Sequence, residues 1–175
     1  MPVIALTTTI KAPIEICFDL ARSIDLHKLS TAGTGEEAVA GVTSGLIGMG
    51  ETVTWRAKHF GIRQHLTSII TAFEYPVYFR DEMVKGAFKF IRHDHRFERL
   101  SDATLMHDYF EFESPGSFAG ELVNRLILTR YLTRLLEKRN IILKKIAETG
   151  RWRQILQEHA SKAVFRHQEF RAVDL

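Results

Sequence analysis

Late in the chain, apolar residues Leu128, Tyr131, Leu132, Leu135, Leu136, Ile142, Leu143, Ile146 and Ala147 recur at three-and-four spacing. That spacing lines one side of an α-helix, and Arg130, Arg134, Lys138, Lys144 and Lys145 fall on the other. A helix from Phe118 to about Glu148 follows, roughly 45 Å long at about 1.5 Å per residue. Its apolar stripe needs an extended cover, and the preceding segments alternate as strands do.

Residues 3–11 alternate weakly and carry three consecutive threonines, which predicts a strand. Pro13 suits a first helical turn, and Ile14, Cys17, Phe18 and Ala21 form a short stripe behind it. A second short helix is expected over Ser23–Leu29 with Ser23 as cap. Six glycines between Thr31 and Gly50 predict loop around one short strand, Glu37–Gly41. These glycines match neither a P-loop nor a dinucleotide fingerprint.

Glu51–Phe60 turns Val53, Trp55 and Ala57 to one face, and Phe60-Gly61 leads into a strand over Ile62–Glu74, with Leu66 opposite Trp55. Tyr75-Pro76 interrupts the ladder. Val77–Val84 is the next strand, with Val77, Phe79 and Met83 on one side. Phe88–Leu100 presents Ile91, His93, His95 and Phe97 on one face and Arg92, Asp94, Arg96 and Glu98 on the other. Alternating charges belong in water, so the two histidines point to the core. A turn at Ser101-Asp102 then places Ala103–Glu113 alongside. In that register His95 faces Asp108, His93 faces Phe110, and Arg92 meets Glu111 on the wet side.

Ser117 is a good cap for the long helix, Glu121 suits its first turn, and Gly150 ends it. Trp152, Ile155, Leu156, His159, Ala160 and Ala163 predict a shorter amphipathic helix beyond. The stretch Arg166–Leu175 is expected to be loosely held.

Composition narrows the class. The 175 residues are 45% hydrophobic and 26% charged, as expected of one globular core. The single cysteine, Cys17, excludes an internal disulfide framework and sits between apolar neighbours, so a core position is expected. Met-Pro-Val-Ile-Ala-Leu offers no basic leader and only a short apolar run; no signal peptide or membrane insertion is expected, and a cytoplasmic location is. The net charge of +3 concentrates between Arg125 and Arg153, as a solvated helix face would. With no zinc-finger, helix-turn-helix or RNP pattern beside it, nucleic acid is not an expected partner.

The order of strand, two short helices, further antiparallel strands and a long closing helix resembles the helix-grip fold of the START-like, or SRPBCC, superfamily. Gly-Glu-Thr-Val-Thr-Trp-Arg-Ala at 50–57, Phe-Arg-Asp-Glu-Met-Val-Lys-Gly at 79–86, His-Asp-His-Arg-Phe at 93–97 and the Asp108 strand ending at Pro115 are similar to its bacterial polyketide cyclase/dehydrase-like branch. The likeness covers roughly residues 3–148. It implies an α+β fold, a curved antiparallel sheet of six to seven strands wrapped around a long C-terminal helix. Residues 1–150 would form the helix-grip domain and 151–175 a helical extension and tail. The resemblance further implies a cavity between sheet and helix that takes a small hydrophobic ligand of lipid, polyketide or aromatic type. A minority of members are cyclases or hydrolases.

A helix across a curved sheet leaves a gap at one end, and such a gap makes an apolar site. Trp55, Phe79, Ile91, Phe97 and Phe110 are the expected lining, with His93 beside them. His95 and Asp108 are either an acid/base pair in that cavity or a buried pair that fixes register. Asp81 shares the side of Phe79 and Met83, so it is a pocket carboxylate or a sign of a different register. Arg139, on the apolar stripe, either reaches the cavity to hold an anionic group or rests its stem on the core with its head in water. His93 and His95 converge as zinc ligands do, but His107 is expected to face outward and no cysteine or further histidine cluster completes a tetrahedron. Neither metal nor cofactor is expected.

Three functions follow as expectations: a binder of a small hydrophobic ligand, a cyclase/dehydratase-type enzyme with His95 and Asp108 as proton shuttle, and a protein-interaction module acting through the C-terminal helix, with a homodimer as one form of it. The residues leave open whether the chain is an enzyme.

Overall fold

The structure, a computed structural model, describes residues 1–59, 61–114 and 121–156. The elements run β1 (Val3–Ile10), α1 (Ile14–Ala21), α2 (Ile24–Ser30), β2 (Glu37–Gly41), β3 (Thr52–His59), β4 (Ile62–Glu74), β5 (Tyr78–Lys85), β6 (Phe90–Arg99), β7 (Thr104–Glu113) and α3 (Glu121–Glu148). Among the described residues, seven antiparallel strands form one sheet in the order β1-β7-β6-β5-β4-β3-β2. From β2 to β7 the neighbours follow in sequence; β1 alone crosses to the far edge, where it pairs with β7.

Each expected register holds: Trp55 faces Leu66, His95 faces Asp108, His93 faces Phe110, and Arg92 faces Glu111. Ser23 caps α2 by accepting from the Leu26 amide at 3.2 Å. Gly41 ends β2 at φ 72°, and a Cβ there would lie 2.1 Å from the Thr52 carbonyl oxygen, so only glycine fits. Bulges between Thr67 and Ser68 and between Ile70 and Ala72 bend β4 against β5.

The main core lies where α1 and the C-terminal half of α3 meet the sheet. Ile14, Cys17, Phe18 and Leu20 pack there with Leu143, Ile146 and Ala147. Phe18 sits edge-on to Phe73, Phe79 and Phe97. Cys17 is fully buried, and desolvation pushes its thiol up to about 11, which leaves an unreactive core residue. The N-terminal half of α3 is less covered: Leu128, Leu132 and Leu136 are half-buried, whereas Leu143 is 0% exposed.

The charged face of β6 needs one correction. Asp94 was expected in water, yet it is buried at 8% exposure, because Tyr78 and Arg80 reach across from β5 and bond its carboxylate. The flanking long side chains, not the core, cover it. Ser117 and the stretch Arg166–Leu175 lie outside the described residues, as do His159, Ala160 and Ala163 of the helix expected after Gly150. Its first turn, 152–156, is helical, and Trp152, Ile155 and Leu156 pack on the main core. Among the described residues, no helix is long and apolar enough to cross a membrane.

Candidate functional site

Because α3 packs tightly only at its C-terminal half, a gap opens between its stretch Leu128–Arg139 and the sheet. It has two adjoining lobes. The inner lobe, about 160 Å³, is walled by Trp55, Ile70, Phe79, Met83 and Ile91, with Asp81, His93 and His95 at one end. The outer lobe, about 340 Å³, is lined mainly by Phe88, Leu128, Leu132 and Leu135. His27, Leu66, Ile91, Phe110, Leu136 and Arg139 border both.

Alternation along β6 turns His93 and His95 to the inner face, and cross-strand pairing brings Asp81 from β5 and Asp108 from β7 to their flanks. Asp108 is wholly buried behind the histidines. It accepts from His93 Nε2 at 3.0 Å and from Asn140 Nδ2 at 2.7 Å, with Arg139 Nη1 at 3.5 Å. His95 Nδ1 lies 2.8 Å from the same carboxylate but off the angle of a hydrogen bond. On the pocket side, Asp81 Oδ2 lies 3.3 Å from His95 Nε2 and 3.9 Å from His93 Nδ1. Donor atoms of Asp81, His93 and His95 all fall within 4.8 Å of one another.

Electrostatics follows from this packing. Burial alone raises the pKa of Asp108, but the bond from His93, the close His95 ring and the charge these rings carry when protonated outweigh it. The carboxyl is held well below its ordinary range. Asp81 is treated alike: burial raises it, the His95 hydrogen bond and both rings lower it, and the net direction is down. Burial lowers the pKa of His93, His95 adds to that, and Asp108 opposes without reversing it. The site therefore holds two carboxylates and a His93 ring that stays neutral at neutral pH.

Trp55, Phe79, Asp81, Ile91, His93, His95, Phe110 and Arg139 thus all border the pocket. Asp108 stands behind it. Phe97 does not border it: α1 presses Phe18 against Phe97, ring centroids 5.4 Å apart, and fills the space that a sheet-only reading left open. The two readings of Asp81 are resolved, since β5 points it into the pocket beside its partner His93. Arg139 keeps its head out of water. Its Nη2 donates to the Ala21 carbonyl at 2.8 Å, a group at the C-terminal end of α1, while Nη1 faces Asp108.

Sequence reasoning missed two groups. Asn140 anchors Asp108, and its signal was present: residues 136, 140, 143 and 147 share one helix side, so Asn140 is a polar residue on a buried stripe. His27 stacks on Trp55 at 4.1 Å and meets Glu36 at 2.7 Å beside the pocket. That contact joins α2 to the sheet and has no local signature.

No protein-family model matches the chain, and no curated protein matches it. Solved structures do. A START superfamily protein from Mycobacterium smegmatis superposes with a TM-score of 0.62 at 14% identity, covering 84% of this chain and 97% of its own. The ZhuI aromatase/cyclase from a Streptomyces species gives 0.64 at 14% identity, covering 84% and 93%. A protein of Thermus thermophilus gives 0.64 at 18% identity, covering 81% and 97%. The chain therefore has an α+β helix-grip fold, the fold of the START superfamily protein and of the aromatase/cyclase it superposes on.

Proposed function

We propose that this protein binds a small hydrophobic ligand, of lipid, polyketide or aromatic type, in the gap between the sheet and α3. One observation carries the reading: α3 turns half-buried leucines toward unfilled space along its first half while packing fully along its second. Leaving apolar side chains beside an open lobe is costly unless something apolar fills it. The two lobes suit a ligand with an apolar body under Leu128 and Leu132 and a polar end near Asp81, His95 and Arg139. The buried thiol agrees with a reducing compartment such as the cytoplasm. The test is mass spectrometry of organic extracts from protein purified in its native host. One hydrophobic compound at near-stoichiometric yield, lost from a Leu136→Trp variant, is the expected result. Equal recovery from the variant would remove the pocket as its seat.

A second reading has its own support. His95 lies between a wholly buried carboxylate, Asp108, and a pocket carboxylate, Asp81, which is the placing of a proton shuttle. A similar fold is seen in an aromatase/cyclase. On this reading the protein is a cyclase or dehydratase, with Asp108 orienting the ring and His95 moving the proton. Turnover of a polyketide substrate that is abolished by His95→Gln, with ligand binding retained, is the outcome this reading requires.

A further inference from the structure

We propose that Asp81, His93 and His95 form a site for one divalent transition-metal ion, held by two imidazole nitrogens and one carboxylate, with its remaining positions open to the inner lobe. The first observation is convergence. Two histidines two residues apart on β6 and the cross-strand partner of His93 on β5 bring three donor atoms within 4.8 Å of one another. Metal bonds of about 2.0–2.2 Å set neighbouring donors roughly 3.0–3.6 Å apart. The 3.3 Å separation of His95 Nε2 from Asp81 Oδ2 already fits, and the 3.9 Å separation from His93 Nδ1 lies just beyond that range.

The second observation lies behind the rings. Asp108 meets His93 at Nε2 and His95 at Nδ1, so in each ring the nitrogen turned away from the pocket faces a buried carboxylate. A carboxylate only accepts, so the hydrogen bond from His93 Nε2 puts the proton of that ring on its outer nitrogen and its lone pair on Nδ1, facing Asp81. At His93 acceptor then faces acceptor across the gap to Asp81, an arrangement that a cation between them satisfies. Carboxylate support of this kind commonly orients metal-bound histidine. Asp108 is itself fixed, by Asn140 and Arg139. The charge count agrees: Asp81 and Asp108 bring two carboxylates, and Arg139 is the guanidinium that pairs with Asp108.

The donor set also selects the ion. Two imidazoles with one carboxylate suit zinc or ferrous iron and disfavour magnesium. From sequence, His93 and His95 lacked a third ligand; the β5 register supplies it in Asp81. The proposal does not depend on which organic molecule fills the pocket, since it is tested with metal alone.

Chelator-treated full-length protein would be titrated with Zn(II) by equilibrium dialysis and elemental analysis. One equivalent per chain is expected. Asp81→Asn, which keeps the side-chain shape at the pocket wall, should lose stoichiometric binding while its circular dichroism is unchanged. Asp108→Asn should weaken affinity about 10- to 100-fold. As a check that needs no variant, Zn(II) should raise the melting temperature of the wild type and Mg(II) should not. No binding by the wild type, equal affinity in Asp81→Asn, or an equal shift with Mg(II) would overturn the site. None of these results bears on whether the pocket takes a hydrophobic ligand.

Discussion

Asp108 and Asp94 are both buried aspartates, yet they sit on opposite faces of the sheet and stabilise it differently. Asp108, at 0% exposure, gathers His93, Asn140 and Arg139. Asp108→Asn puts an amide donor where three donors converge, and removing one partner from such a network costs about 3–5 kcal/mol. Urea denaturation should register a loss of that size. Asp94 is bonded by Tyr78 and Arg80 near the surface, and Asp94→Asn should cost about 1–2 kcal/mol at pH 7. Burial raises the Asp94 pKa, but the Arg80 and Tyr78 bonds outweigh it, so the folded value lies below the ordinary one. A depressed folded pKa contributes stability above the unfolded value of about 3.9, and that contribution fades as pH falls through the folded value. Denaturation curves of wild type and Asp94→Asn should therefore converge below about pH 4. A gap that stays constant with pH would show that the Asp94 charge is not involved. The inward turn of His93, His95 and Asp108 was legible because period-two alternation and turn position agree on one register. The burial of Asp94 was not, since alternation names a face and says nothing of the side chains that fold over it.

At the scale of the elements, α3 is one helix with two environments. Leu143 is fully buried against α1 and the sheet, so Leu143→Ala should cost about 2–5 kcal/mol. Leu132 is half-buried beside the outer lobe, where truncation leaves no new closed cavity; Leu132→Ala should cost about 1 kcal/mol or less. Thermal or chemical denaturation of the pair measures the difference, and equal losses would mean that α3 packs uniformly. The sequence displays one continuous stripe and cannot show this division, because periodicity records which side is apolar and not how far the sheet stands from it. The strands were legible for the converse reason: alternation and turn residues are local. The β4 bulges were not, and they help set where Asp81 of β5 lands.

For the molecule as a whole, one arrangement links these observations: α1 and the second half of α3 clamp the core, and the first half of α3 spans a gap with a polar cluster at its inner end. The order of elements pointed to the helix-grip fold, and solved structures with TM-scores of 0.62 and 0.64 share it. Most of the pocket wall was legible once that fold was in view. Phe97 was misplaced, since its neighbour Phe18 comes from a helix some eighty residues earlier in the chain, a long-range contact that no local pattern announces.

The central claim, that the gap under α3 seats a hydrophobic ligand, is tested most directly by melting the wild type and Leu136→Trp side by side with a hydrophobic ligand. Leu136 borders both lobes, so an indole there fills their junction. At about 100 times the dissociation constant, binding stabilises by about 2.7 kcal/mol, a rise of roughly 5–10 °C for a domain of this size. The account predicts that rise in the wild type and its loss in the variant. An equal rise in both proteins would place the ligand elsewhere and contradict it.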